Sequence, residues 1–227
     1  MQGFPSIFLT VVVFGHEKGG VGKTSLALNF AVLAAESGAD VVVLDTDRQQ
    51  SSVNWLSYRV DTPELPAISV LSNPVDPLRE IESLANRYEL VVVDIGAQNY
   101  KALVHCAMLA DLYIIPTGTS DMDLTPAEEL LNLLYRLRQV DKPINAHCVL
   151  TKAPVGANSQ EVLRTRERLE SGGHKVFDTV IGARSSWRSM ANTGRAIHEL
   201  KGKSKDDKAA AEVRAFYEEA LKKISEV

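Results

Sequence analysis

Seven short apolar runs rich in β-branched residues punctuate the chain, at Ile7–Phe14, Val41–Leu44, Ile68–Leu71, Leu90–Ile95, Leu112–Pro116, Ala146–Thr151 and Val176–Ile181. Most show no in/out alternation. Val41-Val42-Val43-Leu44 and Leu90-Val91-Val92-Val93 are apolar at every position, so both faces must be covered, as in interior strands of a parallel sheet lying between helices. Helical patterns fill the intervals: Lys23–Ser37, Pro77–Tyr88, Tyr100–Leu109, Pro126–Val140, Ser159–Gly172 and Ala209–Ser225. Gly38 and Gly172-Gly173 supply stops, and Thr125-Pro126 with Glu128-Glu129 a start. Strand and helix in alternation predict an α/β fold, a doubly wound, mostly parallel sheet with right-handed crossovers and helices on both faces. The last helix places Val213, Phe216, Ala220 and Ile224 on one face. Glu212, Glu218, Glu219 and Glu226 offset its Arg214, Lys222 and Lys223, so docking on the chain's own core is expected rather than membrane targeting.

Composition narrows this reading only a little. With 227 residues, 45% of them hydrophobic and 6% aromatic, the chain suits a single domain over 1–227 with a sizeable core. The formal net charge of −4 gives no general reason to expect nucleic-acid binding, but it is unevenly spread: from Lys152 onward 15 Lys+Arg face 11 Asp+Glu, against 25 and 29 in the whole chain. A basic C-terminal third can form a surface for an anionic partner. The two cysteines, Cys106 and Cys148, lie in apolar runs and are expected to be buried free thiols. No Cys/His spacing suggests zinc. The N-terminal apolar stretch is too short for a signal segment or a span, so a cytoplasmic protein is expected.

The first strand, a Gly-rich segment Gly15–Gly22 and a helix opening on Lys23-Thr24 form a phosphate-binding context. Gly19, Gly20 and Gly22 let successive backbone N–H groups converge on phosphate oxygens beside a helix N-terminus. Lys23 supplies a cation for the β- and γ-phosphates, and the Thr24 hydroxyl a ligand for Mg²⁺. The strict pattern GxxxxGK(S/T) is not met, because Glu17 stands where its first Gly belongs. What stands instead is Lys18-Gly19-Gly20-Val21-Gly22-Lys23-Thr24, followed by Ser25.

That segment resembles the deviant Walker A motif, KGGxGK(S/T), of the ParA/MinD superfamily of partition and positioning ATPases. The resemblance implies ATP and Mg²⁺ as cofactors, with Gly19, Gly20, Val21, Gly22, Lys23, Thr24 and Ser25 around the phosphates. It also implies a nucleotide-sandwich homodimer in which Lys18 reaches the partner's ATP. The stretch Asp45-Thr46-Asp47-Arg48-Gln49 resembles the family's DxDPQ segment, with Arg48 in place of proline. By that likeness Asp45 supports the Mg²⁺ shell and Asp47 orients the attacking water. Asp94, closing an apolar strand, matches a Walker B acid, and Gly96-Ala97 stands where relatives often carry a Pro-Pro switch. Leu112–Pro116 followed by Thr117 and Asp121 is similar to the family's strand-then-loop region. Thr151 and Lys152 fall where relatives hold a base contact.

The phosphate loop begins so early that no preceding DNA-reading arm is expected, and the chain looks like the short, plasmid-type ParA proteins. The likeness implies ATP-dependent dimerisation, DNA binding without sequence preference, a centromere-binding or other adaptor partner, no membrane partner, and nucleoid association when ATP-bound. Arg184, Arg188, Arg195, Lys201 and Lys203 are the candidate DNA contacts; such contacts give steep salt dependence and little base specificity. A solubilising rim, with Arg184 serving the nucleotide pocket, is the alternative. An accessory ATPase of conjugative DNA transfer and a MinD-like scaffold that does not bind DNA remain open. A nitrogenase-iron-protein relative would need bridging cysteines that Cys106 alone does not provide.

Overall fold

Hydrophobic patterning of this kind builds one sheet. A computed structural model describes residues 9–97, 100–137, 144–154 and 159–226. Seven strands, β1 (Thr10–Phe14), β2 (Val41–Asp45), β3 (Ser69–Ser72), β4 (Leu90–Asp94), β5 (Leu112–Thr117), β6 (Ala146–Ala153) and β7 (Val176–Gly182), form a sheet in the order β3-β2-β4-β1-β5-β6-β7. Every pairing is parallel. β1, β2, β4 and β5 are buried at every position, as their unbroken apolar runs require. The edge strand β3 alternates between exposed and half-buried.

The helices are α1 (Lys23–Glu36), α2 (Ser51–Val60), α3 (Pro77–Ala85), α4 (Tyr100–Ala107), α5 (Asp121–Arg136), α6 (Gln160–Ser171), α7 (Ser186–Ala191) and α8 (Asp207–Ser225). One core face joins α1 and α8 to the sheet, the other α3, α4 and α5. Helix α1 is apolar almost all round, since Leu26–Ala34 are all buried between the sheet and α8. Phe14 and Phe216 each meet Phe30 edge to face there, and Phe177 lies tilted against Phe216. Val213, Phe216 and Ala220 are fully buried and Ile224 packs against the same cluster, so the last helix docks on the core as its pattern predicts.

Several boundaries move. Ile7 and Phe8, expected in the first strand, lie outside the described residues, and β1 begins at Thr10. Helix α5 begins at Asp121, five residues before the expected start, and carries Pro126 inside. As the sixth residue of the helix, Pro126 forfeits the one i→i−4 bond its N–H would have made to the Met122 carbonyl. Its expected end, 138–140, also lies outside the described residues. Two helices had no counterpart in the sequence pattern, α2 and α7. The polar segment Lys201–Lys208 contains a 3-10 turn at Gly202–Ser204, and its last residues start α8. Cys106 and Cys148 are buried and free.

Candidate nucleotide site

All seven strands run the same way, so the loops that follow them share one edge of the sheet, where open α/β sheets bind ligands. The loop after β1 carries the residues expected to cradle phosphate. Gly20 and Gly22 have φ of 77° and 100°, a region that other residues enter only with strain. Gly22 caps α1 without a side chain. The helix therefore presents its first N–H groups and its positive end unshielded, which suits an anion. Lys23 is buried at 7% exposure. Its ammonium donates to the Lys18 carbonyl at 2.9 Å. Burial lowers its pKa, against the pull of Asp94 and Asp47. Lys23 has no ion-pair partner among the described residues, and a phosphate entering the cradle would bring its ammonium a direct counter-charge.

Behind the loop stands a corner of oxygens. The Thr24 hydroxyl donates to Asp94 Oδ2 at 2.6 Å, and the Ser52 hydroxyl to the same oxygen at 3.3 Å. Asp94 is almost fully buried; burial pushes its carboxyl up to about 7, Asp45 nearby adds to the rise, and Thr24 and Lys23 oppose it. Asp45 is fully buried too, and its carboxyl is raised by burial. Its two oxygens accept the backbone N–H groups of Asp47 and Ser52, at 2.9 and 3.0 Å. Asp45 thus fixes the turn that carries Asp47 and caps α2 from the end of β2. A hydroxyl and a carboxylate side by side are hard oxygen donors of the kind Mg²⁺ takes. A dication here would hold Asp94 ionised, which burial alone does not.

Asp47 faces the cavity from the turn after β2. Gly96, from the turn after β4, packs on it so closely that a Cβ at Gly96 would lie 2.9 Å from Asp47 Cα. The Gly96 N–H also donates to the Thr46 hydroxyl at 3.1 Å. Gly96→Ala is therefore expected to displace Asp47 and slow nucleotide turnover on the order of tenfold, with nucleotide affinity little changed. Steady-state phosphate release and nucleotide titration check this; unchanged turnover would show that the contact does not set Asp47's position.

The cavity has a volume of about 770 Å³ and is lined by Gly19–Leu26, Asp47, Ser51, Ala97, Thr151, Lys152 and the segment Ile181–Ser185, with Trp187 and Arg188. Every cradle residue expected from the sequence lines it, Gly19, Gly20, Val21, Gly22, Lys23, Thr24 and Ser25. Thr151 lines it too, but its hydroxyl lies 2.8 Å from the Val21 carbonyl and 3.2 Å from that of Thr117. That hydroxyl ties the Gly-rich loop to the ends of β5 and β6. Lys152, at φ 52°, leans over Gly20.

Lys18 does not line the cavity. Its ammonium forms an ion pair with Asp123 in the first turn of α5. Of the acids after β5, Asp121, the one singled out from the sequence, instead pairs with Arg168 at the surface. Neither Asp123 nor Ser52 carried a sequence signal, because each reaches the site only through the tertiary fold.

The cations expected on DNA divide into two groups. Arg184 is held by Glu212 at 2.5 Å and Arg195 by Glu64 at 2.9 Å, with side chains only 14% and 19% exposed. Arg188, on the cavity rim, has no ion-pair partner among the described residues. Lys201 is 72% exposed, 3.8 Å from Glu64, and Lys203 is exposed. Helix α7, which carries Arg188, is tied to the lysine-rich segment where the Ser186 hydroxyl donates to Asp206 at 3.0 Å.

Comparison with known proteins agrees with this geometry. Residues 12–213 match the CobQ/CobB/MinD/ParA nucleotide binding domain. The chain belongs to that family. It is 25% identical to Protein ParA of Rhizobium radiobacter over 223 residues, covering 96% of this chain and 99% of the relative. It is 29% identical over 221 residues to the maintenance of carboxysome distribution protein A of Gloeobacter kilaueensis, covering 96% and 97%. Among solved structures, an ATP complex of Cyanothece McdA superposes with a TM-score of 0.74 at 13% identity, over 94% of this chain and 96% of the other. This member of the ParA/MinD family accordingly has the seven-stranded parallel sheet of a P-loop nucleotide-binding fold. Among the described residues no helix is long and apolar enough to cross a membrane.

Proposed function

We propose that the chain is a weak, Mg²⁺-dependent, partner-stimulated ATP hydrolase that forms a homodimer around ATP, binds DNA without sequence preference and drives plasmid or chromosome partitioning with a centromere-binding protein. One observation carries the dimer reading: of the two lysines in the phosphate loop, only Lys23 lines the cavity, while Lys18 is held outside it on Asp123. A second copy facing the cavity gives Lys18 a target, the negative charge on the partner's transferring phosphoryl group. Lys23 and the loop N–H groups hold the phosphates. Thr24 and Asp94, supported by Asp45, would hold the metal, which when bound neutralises charge on the β- and γ-phosphates. Asp47 orients the attacking water. Lys152, with Thr151 behind it, borders the nucleotide, for which adenine is the expected base.

Similarity to ParA over nearly the full length of both chains supports partitioning. The DNA surface rests on Arg188, Lys201 and Lys203, grouped by the link between α7 and Asp206, with Arg184 and Arg195 shaping it through their ion pairs. Arg188→Glu is expected to weaken ATP-dependent binding to arbitrary duplex DNA about tenfold and to lower the salt slope by about 1. A mobility-shift assay of apo, ADP and ATP forms at two salt concentrations reads both; binding equal to wild type at each salt would place the surface elsewhere. Similarity to the carboxysome-distribution protein favours a second reading, positioning of a cargo other than a replicon by the same ATPase. Co-purification of cargo separates the two readings.

A further inference from the structure

We propose that Asp123 is a positioning residue for Lys18: it latches the Lys18 ammonium within its own protomer, and the ATP-bound dimer forms only as that latch opens. The inference rests on the reading that Lys18 acts across a dimer. It deepens that reading by naming what holds the lysine beforehand.

The latch is built from both main chain and side chain. Asp123 Oδ1 takes the Lys18 ammonium, and Oδ2 accepts the Ser120 hydroxyl at 2.8 Å. The carboxylate also sits in the first turn of α5, where the helix N-terminus favours negative charge. Burial works against its ionisation, but Lys18 and Ser120 hold its pKa below the usual carboxylate value. Behind the pair, His16 clamps the two backbones. Its Nδ1 accepts the Lys18 N–H at 2.8 Å, and its Nε2 lies 3.3 Å from the Asp123 carbonyl. Fully buried beside Lys23, the ring has its pKa pushed down to about 4, so it is neutral and carries one N–H. With Nδ1 accepting, that proton belongs on Nε2, where the Asp123 carbonyl can receive it. One tautomer satisfies both contacts. The Thr117 hydroxyl donates to the same carbonyl at 3.0 Å. A side chain at Gly118 would overlap the Asp123 carboxylate, so its place is kept open by that glycine.

His16 and Thr117 thus hold Asp123 in place whether or not Lys18 is bound to it, whereas the Lys18 side chain is more than one-third exposed and free to swing. Held on Asp123, the Lys18 ammonium lies outside the phosphate cavity, so reaching a partner's phosphate in the proposed dimer requires it to leave that carboxylate. The ion pair therefore competes with the dimer, once in each protomer.

The experiment measures the dimer constant in a non-hydrolysable ATP analogue by sedimentation equilibrium. Losing a partly exposed ion pair is expected to favour release about threefold per protomer, so Asp123→Asn should strengthen the two-fold dimer about tenfold. Gly118→Ala, which crowds the carboxylate, should shift the constant the same way. Asp121→Asn removes the same charge two residues away, where it contacts Arg168, and should leave the constant unchanged. A dimer constant for Asp123→Asn equal to or below that of wild type, with the thermal midpoint unaltered, would overturn the latch, as would an equal gain in Asp121→Asn. Lys18→Ala in the same assay separates the two ideas. If it abolishes the dimer and Asp123→Asn gives no gain, only the latch fails; if it dimerises normally, the trans reading and the latch fail together.

Discussion

Replacing Lys18 with alanine is expected to lower ATP turnover about 100-fold while leaving nucleotide affinity of the single chain within about threefold of wild type. The asymmetry follows from where the two loop lysines sit. Lys23 lines the cavity, is buried, and lies at the N-terminus of α1, the expected phosphate position. Lys18 points to Asp123 and contributes its carbonyl, not its ammonium, to the cradle, as acceptor for Lys23. Alanine keeps that carbonyl, so the cradle stays intact. What is lost is the mobile charge that would meet the partner's phosphoryl group, where negative charge builds during transfer. The mixture should therefore hold ATP yet remain monomeric. Phosphate release, fluorescent-nucleotide titration and light scattering measure the three quantities separately. Turnover equal to wild type would remove Lys18 from the mechanism, and a large loss of affinity would mean that it acts in its own cradle.

The parts of this molecule that depend on contiguous residues are legible in its sequence. Val41–Leu44 and Leu90–Val93 announce interior parallel strands because each position must be apolar. The run from Lys18 to Thr24 announces a phosphate loop because the backbone geometry demands glycines there. What escaped reading was made by distant groups. Helix α2 lacks a local start signal: its N-cap, Gln50, has φ 51° and no side-chain cap, and the capping oxygen comes from Asp45 on β2. Helix α7, only six residues long, is too short to show a period and is anchored instead by Ser186 on Asp206 and by the Trp187 indole on the Gly182 carbonyl. The proline in α5 misled for a related reason. Pro126 fits a first helical turn so well that Asp121–Thr125 read as a loop, although Ser120 and Asp123 make that earlier turn the working one. The late cations were visible as charge, but their partners were not. Glu212 and Glu64 lie 28 and 131 residues from the arginines they hold, and pattern alone cannot pair them.

Asp47→Ala is expected to produce the opposite assembly from Lys18→Ala at a similar loss of turnover, about 100-fold or more. Asp47 reaches the cavity from a turn fixed by its own N–H on Asp45 and by the close approach of Gly96. One carboxylate oxygen accepts the Gln49 N–H at 3.0 Å, and the other has no hydrogen-bond partner among the described residues. That free oxygen is an acceptor held on a rigid turn beside the phosphate cradle, suited to orienting a water for in-line attack. Truncating it removes no donor from the cradle and no ligand from the Thr24–Asp94 corner, so ATP should still bind and the dimer still form. Without an oriented water, the dimer should persist instead of resetting. Light scattering of the variant in ATP should therefore report a long-lived dimer where Lys18→Ala reports a monomer, and DNA binding should persist with it if the DNA surface depends on the dimer. Rapid turnover in Asp47→Ala would reassign the water to another group. A monomer would mean that Asp47 serves assembly, and that the contact with Gly96 couples the turn after β4 to dimer formation instead of to hydrolysis.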